Sequence, residues 1–580
     1  MAPPKQTKSS HASPEAFTPQ RFERELKHLA AKARSDTWSR RAARQLTWSA
    51  KVVVLLVLLG VTCNASQLNL SPVYGSIPAA IWHSRLVMTA CFLGWAGNLM
   101  LRHRLNDCTP QLLPLVAAFT PVVQWLLARY SGQLGAQLGP LLTETLTLFP
   151  LAILTAASVA DLLENTRLPL LPSFVADAAP GLASWALFKY SEHLMARHLQ
   201  ANMGRAIVYT RLGLEMTLSA VYAALAPSKL LLYALPALLH TLLLNTHVSS
   251  PAATSTLVSS LLSHNWLLLD RRDSLTGYVS VLQSVEHGYR VMRCDHSLLG
   301  GEWIQARGGD VSEPIYGVFA MLEAVRLVER VEAVADKDSC ALVIGLGVGT
   351  TPSALVAHGV NTTIVEIDPV VYEFAVKYFD LRENNAPVLD DAVSYTAALA
   401  ATAPATYDYI VHDVFTGGAE PAHLFTLEFL EGLATLLKPN GVIAINYAGD
   451  LALPPPGIIL RTIKQVFTTC RVFREMPPDA KAIQEKGTDF TNMVIFCSKD
   501  AEAPLRFRKP ETGDLLNSHA RKQFLHLQNE VSQAEVLAGS DEGILRRNDT
   551  TSVEKWHQQS ALGHWAIMRT AVPALVWEQW

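Results

Sequence analysis

Charge is distributed very unevenly along this chain: residues 52–247 hold 17 Asp, Glu, Lys and Arg in 196 positions, whereas the other 384 positions hold 82. A stretch of that length with so few charges is suited to lipid, where an ionised side chain costs several kcal/mol or more. The chain is therefore read as a helical membrane half followed by a soluble half. At 580 residues it is also too long for one core, and three or four folding units are expected. The net charge of −3 leaves no chain-wide basic surface, so nucleic acid is not an expected partner. Seven scattered cysteines without a CxxC pair support neither a disulfide framework nor a zinc site, and are read as reduced, packed thiols.

The first 51 residues carry eleven Lys and Arg against four acids, then lead into Val52-Val53-Val54-Leu55-Leu56-Val57-Leu58-Leu59. That pattern predicts a basic cytoplasmic tail, residues 1–50, before a first spanning helix. Six further apolar stretches lie near 80–101, 110–129, 134–160, 174–190, 205–226 and 229–247. If all seven spanned, the loop with Lys189, Arg197 and Arg205 and the soluble half would lie outside, against the positive-inside bias. Omitting 174–190, which is interrupted by Asp177 and Pro180-Gly181, makes 161–205 an internal loop. Six spans over 51–250 are then expected, with the soluble half in the cytoplasm. Arg85, Glu144, Arg211 and Glu215 fall inside the proposed spans, and Arg211 and Glu215, four apart on one face, are read as an internal ion pair.

The soluble half opens with short alternating runs, Tyr278-Val-Ser-Val-Leu282 and Tyr289-Arg-Val-Met-Arg293, punctuated by Gly277, Gly288 and Gly300-Gly301. These predict a small β-hairpin lobe over 265–335. From Ala341 the pattern becomes strand, glycine turn, helix and strand, which predicts a Rossmann-like α/β domain over 336–500. Residues 501–580 form a more polar extension with an aromatic tail.

The turn Gly345-Leu-Gly347-Val-Gly349 follows a strand and opens a helix, and Glu366 ends the next strand. Glycines there let backbone approach a ligand, and the acid can accept hydrogen bonds from ribose hydroxyls. The spacing points to a nucleoside such as S-adenosylmethionine rather than a dinucleotide pyrophosphate. Asp391 ends a third strand, where a carboxylate can accept from an adenine amine; Asp390 beside it leaves that assignment open. Asp413 ends the fourth strand in Tyr407-Asp-Tyr-Ile-Val-His-Asp413, a position for a base that takes a proton from an attacking nucleophile. His412 is expected to pack on the opposite face. The element order is that of a seven-stranded methyltransferase-type sheet.

Together the glycine turn, Val365-Glu-Ile-Asp368, Asp391-Ala392, Asp413 and Pro421-Ala-His-Leu-Phe425 resemble the spermidine/spermine synthase family, and Asp413-Val-Phe-Thr-Gly-Gly-Ala-Glu-Pro is most similar to its membrane-fused subgroup. The resemblance covers about 265–498 and implies that Gly345, Gly347, Gly349, Glu366 and Asp391 hold S-adenosylmethionine or its decarboxylated form, with Asp413 the catalytic acid/base and no metal. Three departures mark the amine site. The acid expected in the glycine turn is Val348, the second acid after Asp413 is Thr416, and the Tyr-His-Glu motif is Tyr316-Gly317-Val318, with Glu313 nearby. A polyamine needs paired carboxylates, since a buried unpaired ammonium is costly. Methyl transfer to a less charged acceptor is therefore ranked first. Aminopropyl transfer, with the amine held by Glu313, Asp295 or Glu420, is second, and a non-catalytic nucleoside-sensing transporter or receptor third. The expected partners are a small-molecule acceptor, apolar or amine, the lipid bilayer, and a second copy of the chain.

Overall fold

The computed structural model describes residues 22–23, 26–27, 38–164, 172–306, 309–332, 334–414, 418–500, 502, 504–539 and 543–580. Most of the basic tail and Thr416 lie outside the described residues.

The apolar half folds as a helical bundle, in which each segment satisfies most of its own backbone polar groups. Its principal helices are α1 (Trp38–Tyr74), α2 (His83–Ala96), α3 (Thr109–Ala128), α4 (Ser131–Leu146), α5 (Leu148–Leu163), α6 (Ser173–Asn202), α7 (Arg211–Leu225) and α8 (Leu235–Leu243). Three stretches among the described residues are long and apolar enough to cross a membrane: Gln45–Tyr74, Thr109–Ala128 and Ser131–Leu163.

Two expectations for this half are corrected. The segment 174–190, assigned above to a loop, lies within the 30-residue α6, which packs along α1; Pro180 sits inside the helix without ending it. Arg211 does not pair with Glu215. Its guanidinium reaches out of the bundle to Asp273 and to Asp295, the latter at 2.9 Å, while Glu215 faces a small, largely apolar void between the helices. The i,i+4 pairing lost because two carboxylates of the soluble half meet Arg211 at the domain junction.

The hairpin lobe is a five-stranded antiparallel sheet in sequence order: β1 (Trp266–Asp273), β2 (Tyr278–Ser284), β3 (Tyr289–Cys294), β4 (Ser297–Trp303) and β5 (Glu313–Pro314). The second sheet holds β6 (Cys340–Ile344), β7 (Asn361–Glu366), β8 (Val388–Leu389), β9 (Tyr407–His412), β10 (Leu437–Asp450), β11 (Thr469–Arg474), β12 (Phe490–Ser498) and β13 (Glu530–Val531). Their order is β13-β11-β12-β10-β9-β6-β7-β8. The strand order reverses beside β6, so β6, β7 and β9 deliver their carboxyl ends to one crevice, the usual ligand position in an open α/β sheet. Eight strands stand where seven were expected, because the C-terminal extension adds the two-residue β13 to the β11 edge.

β11 and β12 are antiparallel with Cys470 opposite Cys497, and these two form a disulfide. The reading of all seven cysteines as reduced thiols is thereby corrected. Residues 27 apart in sequence become direct cross-strand neighbours, which cysteine spacing alone does not reveal. The extension also carries α11 (His557–Ala571), following α9 (Thr350–Ala357) and α10 (Ala392–Thr402) of the α/β domain. Its last residues join the two halves: Trp580 stacks on His247 with ring centroids 4.3 Å apart, and the Trp565 indole donates to Val73 O at the end of α1.

Candidate active site

A cavity of about 490 Å³ opens at the carboxyl ends of the central strands. Gly345, Gly347, Glu366 and Asp413 line it, so four of the six residues singled out in the sequence converge on one space. Gly345 has φ +85°, and a Cβ there would run into the carbonyl oxygen of Asp413; the turn can pass β9 only without a side chain. That bare backbone leaves room for a ligand at the tip of β6.

Glu366 is almost fully buried and holds the turn in place. Its Oε2 accepts from Leu346 N and its Oε1 from Asp368 N, each at 2.9 Å. Burial pushes its carboxyl up to about 7, against the lowering effect of those backbone donors. A carboxylate oxygen has a second lone pair, so Glu366 can still accept from a ligand hydroxyl. The adjoining Asp368 is fully buried and accepts from Ser274 Oγ and Thr276 N, docking the hairpin lobe over the turn.

Asp413 is positioned by its own N–H, which donates to Ile344 O at 2.8 Å, and by Asn446 of β10, whose Nδ2 donates to its Oδ1 at 2.7 Å. Burial raises its carboxyl to about 6, only partly offset by that amide. A carboxylate titrating just below neutrality is suited to accept a proton at physiological pH. His412 turns to the other face of the strand, edge-on to Phe425 and Phe429, and is fully buried.

The two remaining glycine-site and adenine-site residues lie elsewhere. Gly349 is the left-handed residue opening α9, packed against Leu381 rather than lining the cavity. Asp391 also lies outside the lining. Its Oδ2 caps α10, accepting from the backbone N and hydroxyl of Ser394 at 3.0 and 2.8 Å, which is the ordinary use of an Asp before a helix.

The acids offered for a polyamine are dispersed. Glu313 is buried against Ala520 N, and Glu420 accepts from the Tyr447 hydroxyl; neither lines the cavity. Asp295 does line it, but the Arg211 guanidinium already pairs with its Oδ1. Val348 is buried in an apolar cluster beneath Gly300.

Several lining residues were not foreseen as site residues. Asn446 sits one strand over from Asp413, and the same strand-end argument could have found it. Glu475, Asn492 and His564 could not be found that way, since β11, β12 and α11 bring them from distant sequence. Glu475 accepts from Gly317 N at 2.6 Å and from Asn492 Nδ2 at 2.8 Å. Burial lowers the His564 imidazole to about 4, so it stands neutral in the wall.

A spermine/spermidine synthase domain matches residues 327–482. The N-terminal histidine N-methyltransferase of Emericella nidulans (strain FGSC A4 / ATCC 38163 / CBS 112.46 / NRRL 194 / M139) is 45% identical over 542 residues, 91% of this chain and 96% of that protein. The chain and that protein belong to one family. A polyamine aminopropyltransferase of Vibrio vulnificus (strain CMCP6) is 40% identical over 109 residues, 18% of this chain and 36% of that protein. Among solved structures, a probable spermidine synthase from Corynebacterium glutamicum ATCC 13032 aligns with a TM-score of 0.38 at 17% identity, covering 49% of this chain and 97% of that one. The chain is a group transferase that uses a cofactor of the S-adenosylmethionine type. This sets aside the non-catalytic sensor.

Proposed function

We propose that this chain is a membrane-anchored S-adenosylmethionine-dependent N-methyltransferase whose acceptor is an N-terminal histidine of a polypeptide. The observation that carries the reading is the near full-length relationship to the N-terminal histidine N-methyltransferase. The site is consistent with it. The glycine cradle at Gly345 and Gly347 and the acid Glu366 fit a nucleoside, and the apolar Val348 provides no partner for the ammonium of an aminopropyl group.

Bound there, the cofactor supplies an electrophilic methyl group on a sulfonium. Asp413 accepts a hydrogen bond from the acceptor N–H, aims the nitrogen lone pair, and takes the proton released as the N–C bond forms and the S–C bond breaks. Asn446 holds Asp413, and its own carbonyl oxygen, without a partner among the described residues, is free to accept a second N–H. Glu475, tied to an amide and a backbone N–H rather than to a cation, is the carboxylate best placed to face a charged terminus.

The anchoring favours a catalytic half on the face opposite the N-terminal tail. The soluble half touches the carboxyl end of α1 at Pro72 and Val73, the amino ends of α4 and α7 at Ser131 and Arg211, and His247 after α8. Those ends alternate as seven crossings require, rather than six. Large exposed apolar side chains on the bundle, such as Phe92, Leu182 and Leu232, suit lipid. With the basic tail in the cytoplasm, the catalytic half would lie in an extracytoplasmic compartment, where the Cys470–Cys497 disulfide is at home. This reading differs from the cytoplasmic placement expected from six spans.

Two measurements test these readings. Purified protein is incubated with peptides beginning in histidine or alanine, with either S-adenosylmethionine or its decarboxylated form. Mass gain of one methyl on the histidine peptide alone is expected, and aminopropyl transfer to an amine would overturn methylation. For placement, the catalytic half should resist protease in sealed vesicles made with cytoplasmic side out. Complete digestion there would restore the cytoplasmic reading.

A further inference from the structure

The helical half contains a second cluster of chemically capable side chains. Cys63 of α1, His83 of α2 and Glu192 of α6 each offer one ligand atom, and these atoms lie within 4.8 Å of one another. Cys63 is fully buried and His83 only 3% exposed. Three helices distant in sequence therefore bring a buried thiol, a buried imidazole and a partly buried carboxylate to one point.

The surroundings orient this set. His83 Nδ1 lies 2.6 Å from Glu144 Oε1 of α4, and the Ser66 hydroxyl donates to the same oxygen at 2.9 Å. A carboxylate acceptor at Nδ1 fixes the proton there and turns the Nε2 lone pair toward Cys63 and toward Glu192 Oε1, which is 3.7 Å away. Metal-bound histidines commonly show this arrangement, with the non-ligating ring nitrogen donating to a carboxylate. The helix crossing is also built for it. A Cβ on Gly60 would come within 2.9 Å of Glu192 N, so glycine permits α1 and α6 to touch one turn from Cys63, and Asn64 Nδ2 donates to Glu192 O at 3.0 Å. The other Glu192 oxygen is held by Lys189.

We propose that Cys63, His83 and Glu192 form a binding site for a zinc-class divalent ion, with Glu144 as the positioning carboxylate on His83. The donor set is one sulfur, one nitrogen and one oxygen, suited to four-coordinate zinc with water in the remaining position. The ion would cross-link α1, α2 and α6 within the bundle. The site is separate from the catalytic cavity and shares none of its lining residues. If the cluster holds no metal, His83 is simply a histidine paired with Glu144 and Glu192, and the experiment separates the two accounts.

The test uses the full chain in detergent, purified without chelator in zinc-supplemented buffer, with metal measured by inductively coupled plasma mass spectrometry. Close to one zinc per chain is expected, falling to background in Cys63→Ala and in His83→Gln. Glu144→Gln should retain the fold but release zinc more readily, by about 10-fold to 100-fold in affinity. S-adenosylmethionine binding reports whether each variant has folded. Should the Cys63 or His83 variants fail to fold, cobalt substitution of the unaltered protein decides. A thiolate-to-cobalt charge-transfer band together with intense four-coordinate bands supports the site. A zinc content of the unaltered protein no higher than background, zinc retained in both folded variants, or a cobalt spectrum without the thiolate band overturns it.

Discussion

Both halves of the molecule bury carboxylates, but they surround them differently. In the α/β half Glu366 and Asp413 sit at strand ends, satisfied by backbone N–H groups or a single amide, and both open onto the cavity. In the helical half Glu144 is enclosed by side chains from other helices, Ser66 and His83. A strand end at a topological switch point exposes its carboxylate to a ligand, whereas a packed bundle spends its carboxylate on the partners that hold helices together. The same residue type thus faces a ligand-sized cavity in one half and pairs with neighbouring helices in the other.

The contrast is tested most severely at Asp413. Asp413→Ala should lower turnover by about 10²-fold to 10⁴-fold, the usual range for loss of a general base. Binding of S-adenosylmethionine by calorimetry should change little, and equal loss of both would reduce Asp413 to a structural role.

Next in size is the junction between the halves. Arg211 is 1% exposed and pairs with Asp273 and Asp295, so Arg211→Gln leaves one buried and one partly buried carboxylate without their cation. A loss of about 3–5 kcal/mol is expected, read as a lower thermal midpoint. An unchanged midpoint would show that the other junction contacts, Trp580 on His247 and Arg293 on Pro72 among them, suffice to join the halves.

The third effect is in pH. With Asp413 raised to about 6, the base is ionised above that pH, and the rate should fall about tenfold per unit below it. The stability effect has the opposite sign. A carboxyl with a raised folded pKa adds stability that is present at low pH and lost as pH rises through about 6. Asp413→Asn should therefore unfold at a higher temperature than the unaltered protein at pH 8, with the gap closing toward pH 4. A gap that widened on acidification would contradict the burial assigned to this carboxyl.

The smallest effect separates capping from ligand contact. Asp391→Ala should cost about 1 kcal/mol of stability through loss of the α10 cap and leave S-adenosylmethionine affinity within about threefold. A drop in affinity of about tenfold or more would return Asp391 to the adenine site.

Much of the catalytic half was legible in order along the chain. The Gly345 turn, Glu366 and Asp413 each follow a strand directly, so local sequence places them at carboxyl ends, and parallel pairing of β6, β7 and β9 then brings those ends together. Asp391 shows the limit of that logic: its position after a strand is also the position before a helix, and the helix uses the carboxylate. The Arg211–Glu215 spacing misled for a related reason, since a helix-face neighbour competes with any stronger partner the tertiary fold supplies.

The sequence by itself determined the division into an apolar helical half and an α/β half, because charge content and strand-turn-helix periodicity are local properties. It also determined the glycine cradle and its two principal acids. Only the tertiary structure decided that α6 is one long helix, that Cys470 meets Cys497, that Glu475, Asn492 and His564 wall the cavity, and that Cys63, His83 and Glu192 converge. These depend on contacts between residues tens to hundreds of positions apart, where burial and pairing geometry choose among partners that no single segment specifies.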